Sequence, residues 1–202
     1  MDAQRKAELE RLAGLTHAGA VRAAAAFAQL LGAPVSALPP VVCERGVGSL
    51  ARSERAREDA GTTGVFFEFD GCVDALVGIL FPAGASDSLV RSIVGIESGE
   101  LDPAIVESAL MEVGNILASH VASGIADALR SRLLPSIPAL ASAHAESEFA
   151  AWIEHVAGGD AAHLESTLCA SDGNAVGRLV FVPVDGTGEG VDRAAPAAEP
   201  VC

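Results

Sequence analysis

Little in this sequence points to a membrane, a metal framework or a nucleic acid. No apolar run reaches the roughly 18 residues of a membrane span. The N-terminal MDAQRKAELERLAG has the composition of a charged helix rather than of a secretory signal, so a soluble, cytoplasmic protein is expected. Cysteine is sparse: Cys43, Cys72, Cys169 and Cys202 are scattered and form no CxxC pair, so spacing yields neither a zinc site nor a disulfide framework. Reduced thiols are expected, as is usual for cytosolic chains. Positive charge is scarce as well, with 13 Lys and Arg against 27 Asp and Glu, a net charge of -14, and Lys6 as the only lysine. That balance argues against a phosphate-backbone partner. HExxH, GxSxG and Walker sequences are missing, and His17, His120, His144, His155 and His163 show no paired-ligand spacing.

What is present is apolar and repetitive. Half of the 202 residues are hydrophobic, enough for one compact domain with a proper core. The chain reads as one unit used twice, about residues 5–82 and about 103–184, followed by a tail at 185–202 whose Gly, Pro and Ala composition cannot repay the cost of ordering. The GTGEG within that tail has no strand-to-helix context and reads as linker.

Each unit opens with a long helix. The first covers 7–32 and stops at Gly32; the second is capped by Asp102, has Pro103 at its first position, and continues to about Arg132. Extended segments follow, VSALPPVV and LLPSIPAL, in which Pro40 and Pro138 lie 98 positions apart, as do His17 and Asn115. A short helix comes next in each unit, SLARSERARE and SEFAAWIEHV, and then two strands joined at an Asp-Gly dipeptide, Asp70-Gly71 and Asp172-Gly173. SDSLVRSIVG, between the units, reads as a helix closed by Gly95. The expected fold is α+β: a pseudo-twofold repeat of helix–strand–hairpin units sharing one antiparallel sheet packed against two long helices.

On the second long helix, at about 100° per residue, Val106, Leu110, Val113, Leu117, Val121 and Ala128 form an apolar stripe expected to face the sheet. Ser108, Glu112, Asn115 and Ser119 share the other side, since offsets of three and four bring side chains together. From spacing alone, an ordinary solvent-facing surface is the commoner explanation. Asn115 resists this reading, because Asn is a mediocre helix former and neighbouring Gly114 costs roughly 1 kcal/mol against Ala.

ESALMEVGNIL at 107–117, followed by LLPSIPAL at 133–140, resembles the signature of the CheC, CheX and FliY phosphatases: an acidic residue or Ser, then Glu, then Asn, and a proline a little over twenty residues later. Ser108, Glu112, Asn115 and Pro138 stand at those positions. GVFFEFDGCVDALVGILFP and GRLVFVPVD also read like the family's strands, so the resemblance covers nearly all of the folded part. In two-site members the first helix carries the same Glu and Asn. Here the 98-residue offset places Gly14 opposite Glu112 and His17 opposite Asn115, with Pro40 retained, which implies one site and a degenerate first copy.

The resemblance implies a phosphatase acting on the phospho-aspartate of a chemotaxis response regulator, CheY. Asn115 would hold the attacking water and Glu112 would pair with the regulator's active-site lysine. No cofactor of its own is implied, the Mg2+ and the phosphorylated Asp coming from the regulator. A contact with the receptor deamidase CheD is implied as well, and a non-catalytic adaptor binding CheD or the regulator is the alternative. A flagellar switch component of the FliM or FliY kind shares the fold but carries a further C-terminal domain, and this chain stops about where the CheC unit does.

Overall fold

The computed structural model describes residues 3–44, 61–96 and 99–184. The helix expected over SLARSERARE and the C-terminal tail lie outside the described residues. In chain order the elements are α1 (Ala3–Leu31), β1 (Val35–Ala37), β2 (Val41–Cys43), β3 (Thr63–Gly71), β4 (Ala75–Phe81), α2 (Ala85–Val94), α3 (Pro103–Leu129), β5 (Leu133–Pro135), β6 (Ala139–Ala141), α4 (Ala145–Ala157), β7 (His163–Ala170) and β8 (Ala175–Pro183).

All eight strands form one antiparallel sheet in the order β1-β7-β8-β4-β3-β5, with β2 also pairing β7 and β6 also pairing β3. The halves exchange strands across it. Strands β1 and β2, which follow α1, hydrogen-bond to the second hairpin, whereas β5 and β6, which follow α3, hydrogen-bond to the first. The starts of β1 and β5, and of β2 and β6, are each 98 positions apart, and so are the last residues of α1 and α3.

Strands β3 and β4 are buried on both faces, as ALVGILF, an unbroken apolar run, requires of a central strand. One face carries Val65, Phe67, Val77, Ile79 and Phe81, which pack with Phe27 of α1 and with Leu110, Leu117 and Ile125 of α3. The other face carries Phe66, Leu76 and Leu80 under Phe149, Trp152 and Ile153 of α4. The sheet is therefore covered on both sides. Helices α1 and α3 touch each other directly: a Cβ at Gly19 would lie 2.8 Å from the Val121 carbonyl oxygen, and one at Gly124 would lie 2.7 Å from Gly19 Cα. Arg22 donates to Asp127 across the outside of that crossing at 2.5 Å.

The terminators act as their chemistry demands. The Asp102 side chain accepts from Ala104 N at 2.9 Å, Gly32 closes α1 at φ 63, and Gly95 closes α2 at φ 75. Four expectations need correction. Helix α1 begins earlier, at Ala3, and α3 ends at Leu129, where Arg130 turns left-handed at φ 50. Ala128 is exposed and Val106 only half-buried, and the buried side of α3 instead takes in Ala122, Gly124 and Ile125. Finally, Asp70-Gly71 is not the turn of the first hairpin. Those residues extend β3 and pair with Leu134 and Leu133, and the chain reverses at 72–74. Gly71 is needed for a close approach, since a Cβ there would sit 2.3 Å from the Arg132 carbonyl oxygen. In the second hairpin Asp172-Gly173 does make the turn, with Gly173 at φ 84 donating to Ala170 O at 2.9 Å.

Candidate functional site

Helix α3 holds the candidate residues on a rigid support, with Leu110, Val113, Leu117 and Val121 almost fully buried beneath it. Gly114 belongs to the support. A Cβ at this position would lie 2.6 Å from Val65 Cγ1 and 2.7 Å from Val65 Cβ, so the helix is seated on β3 at a point where only hydrogen fits. Packing thus explains the poor helix former at 114. It does not explain Asn115, which is half-buried at the edge of that contact and faces outward.

Glu112, Asn115, Ile116, Ser119 and His120 line one shallow, open depression of about 320 Å³ on the flank of α3. Glu112, Ser119 and His120 are exposed. Among the described residues, neither the Glu112 carboxylate nor the Asn115 carboxamide is held in a hydrogen bond or ion pair, so both are presented to whatever docks there. A carboxamide offers a donor and an acceptor together, and a carboxylate one turn away accepts from a cation.

Ser108 is exposed one turn earlier on α3 and does not line the depression. Pro138 is half-buried between β5 and β6, beside Ile137, which is 89% exposed. Just past β6, Ser142 Oγ donates to Glu107 Oε1 of α3 at 3.4 Å, and Leu140 of β6 pairs with Val65, on which Gly114 is seated; Pro138 itself does not line the depression.

His120 and Ile116 were not singled out by sequence reasoning. The signal was there: the offsets 112, 116 and 120 are successive steps of four on one helical stripe.

In the first half, Gly14 is exposed with nothing within 4 Å of a Cβ built on it, so the missing acid there is not a packing requirement. His17 is half-buried, its Nδ1 lacking a hydrogen-bond partner among the described residues, and Pro40 is half-buried between β1 and β2. The pair that faces the depression on α3 thus has no counterpart on α1.

A model of the CheC-like family matches residues 105–140, the stretch from the first turns of α3 to β6. No curated protein matches in sequence. Among solved structures, the Thermotoga maritima FliY is similar at 12% identity and a TM-score of 0.65, covering 91% of each chain. The CheX of a CheX-CheY-BeF3-Mg+2 complex from Borrelia burgdorferi is similar at 15% identity and a TM-score of 0.58, covering 83% of this chain and 96% of that one. The FliM middle domain of H. pylori is similar at 12% identity and a TM-score of 0.55, covering 89% and 92%. Identities this low establish the fold alone. The chain therefore has the CheC-like fold, and the segment of it that bears Glu112, Asn115 and Pro138 is the one that matches the CheC-like family.

Proposed function

We propose that this chain is a cytoplasmic phosphatase for the phospho-aspartate of a CheY-like chemotaxis response regulator, with a single active site on α3. The observation that carries the reading is the open depression in which Asn115 and Glu112 stand side by side, unengaged, on a helix fixed from below. Its shallowness suits a protein substrate, whose own pocket closes over the helix, better than a free small molecule. The similarity to a CheX solved in complex with CheY adds support.

An aspartyl phosphate is an acyl phosphate and intrinsically labile, so positioning alone suffices for catalysis. The Asn115 side-chain oxygen accepts a hydrogen bond from a water and aligns it with the phosphorus. The water oxygen attacks, the bond from phosphorus to the aspartyl oxygen breaks, and the carboxylate leaves with inorganic phosphate as the other product. Glu112 pairs with the regulator's active-site lysine and fixes the helix over the pocket. The regulator supplies Mg2+, which offsets phosphoryl charge. CheD is a further candidate partner, as the CheC-like segment suggests.

The decay of a phosphorylated CheY from the same genome, followed with Mg2+ alone, with this protein, and with Asn115→Ala and Glu112→Ala, tests the reading. Acceleration by the wild type and its loss in both variants is expected. Unchanged decay in the presence of a demonstrable complex would make the protein a docking adaptor instead.

A further inference from the structure

Strand pairing brings three chemically distinct side chains together far from α3. Cys43 on β2 stands directly opposite His163 on β7, and Val41 is opposite Glu165, so Glu165 projects from the same sheet face two residues along. One potential ligand atom from each of Cys43, His163 and Glu165 lies within 4.8 Å of the other two, with His163 Nε2 3.0 Å and Cys43 Sγ 3.8 Å from Glu165 Oε1. A tetrahedral ion with bonds of about 2.0–2.3 Å spaces its ligand atoms by roughly 3.3–3.6 Å, so the two contacts to Glu165 Oε1 need shifts of a few tenths of an ångström, and the Cys43–His163 pair closes by up to about 1 Å through rotation of the Cys43 side chain.

The surroundings favour such a use. His163 is fully buried, and its Nδ1 has no hydrogen-bond partner among the described residues, so the ring's polar engagement there is at Nε2, toward the cluster. Arg178 on β8 donates to Glu165 Oε2 at 3.1 Å while also holding Glu146 of α4, which leaves Oε1 turned to Cys43 and His163. Fixing a ligand carboxylate through its second oxygen is how outer partners orient metal ligands.

The other half of the sheet shows what the fold alone asks for at these places. The pairs Cys43–His163 and Val41–Glu165 correspond to Ala141–Gly64 and Ala139–Phe66, and the pair Thr167–Arg178 corresponds to Glu68–Leu76. Phe66, Leu76 and Ala141 belong to the apolar cluster under α4. Where one half keeps a dry core, the other has Cys, His, Glu and Arg.

We infer that Cys43, His163 and Glu165 bind a divalent ion of the zinc class, with water or a further donor in the fourth position. Thiolate, imidazole and carboxylate together suit a borderline ion, whereas Mg2+ and Ca2+ take oxygen ligands. Any Mg2+ brought by a regulator therefore belongs to a different site. Binding releases the thiol proton of Cys43, and the Nε2–H bond of His163 to Glu165 is replaced by a bond from Nε2 to the ion, with the ring proton moved to Nδ1.

The test uses the full chain, stripped of metal and titrated with Zn2+ against a chromogenic chelator and with Co2+ followed by absorption. One ion per chain is expected, with a thiolate-to-cobalt charge-transfer band, and Cys43→Ala should weaken binding by roughly tenfold or more and abolish the band. Ala141, at the corresponding place, shows that alanine fits this register. Glu165→Gln, which keeps the shape but turns one of two acceptors into a donor, should weaken binding too, while Cys72→Ala and Cys169→Ala leave it intact. Absence of stoichiometric binding, or binding unchanged in both Cys43→Ala and Glu165→Gln, overturns the inference and leaves a metal-free polar network. Neither readout depends on phosphatase activity.

Discussion

Gly114 of α3 lies so close to Val65 of β3 that a Cβ at 114 would stand 2.6 Å from Val65 Cγ1 and 2.9 Å from Cγ2. Val65 is β-branched and fully buried, so it has no free rotamer into which to retreat. Gly114→Ala therefore sets an overpacking cost of about 1–3 kcal/mol against a helix-propensity gain of roughly 1 kcal/mol. A net loss is expected, read as a lower urea midpoint at unchanged slope. A raised midpoint would mean that the helix is not seated as described.

Asn115 and Glu112 carry different parts of the proposed reaction, and their kinetics should separate. Asn115→Ala removes a positioned group felt only as the water attacks, and should lower the maximal rate of regulator dephosphorylation by roughly 100-fold with little change in half-saturation. Glu112→Ala removes a docking contact and should chiefly raise the regulator concentration needed. Neither side chain is engaged in the fold, so each variant should unfold within about 0.5 kcal/mol of wild type. Identical kinetic signatures would argue against the division of roles.

If the proposed single site on α3 is right, α1 offers a gain of function. Gly14 sits mid-helix, exposed, in open space, so Gly14→Ala should stabilise the protein by up to about 1 kcal/mol, seen as a higher Tm. Gly14→Glu with His17→Asn recreates the missing pair. In an Asn115→Ala background the double change should restore measurable regulator dephosphorylation, and total inactivity would show that α1 lacks something besides those two side chains.

Much of this architecture is visible in the sequence, and the reasons differ by element. The caps at Asp102, Gly32 and Gly95 act locally, so they can be read one residue at a time. The 98-residue offset reports register because both helices feed strands of equal spacing. Asp70-Gly71 misleads because its glycine serves a tertiary contact with Arg132, not a turn, and dipeptide chemistry does not distinguish the two uses. Ala128 misleads because the helical period fixes a side of α3 and not where its packing partners stop, and Ala128 is the last residue but one of the helix. At the candidate site, Glu112 and Asn115 are found by spacing and resemblance, whereas the Cys43, His163 and Glu165 cluster is invisible to spacing. Cys43 is about 120 residues from His163 and Glu165 and meets them only through the exchange of strands between halves.

The layer beneath the sheet yields a prediction that separates stability from activity. Phe149 of α4 is fully buried, stacks on Phe66 at 4.8 Å between ring centroids, and packs beside Trp152 at 6.0 Å. Its ring also lies 2.8 Å from where a Cβ of Gly78 would be, so the glycine in the centre of β4 makes room for it. Phe149→Ala empties that space and should cost about 3–5 kcal/mol, a large share of the 5–15 kcal/mol typical of a domain. Because α4 and α3 cover opposite faces of the sheet, protein that remains folded at low temperature should dephosphorylate the regulator at the wild-type rate. Thermal unfolding combined with the decay assay at a temperature below the transition checks both halves. A folded but inactive variant would show that the site on α3 is coupled through the sheet to α4, and a variant as stable as wild type would show that Phe149 is not an anchor of this layer.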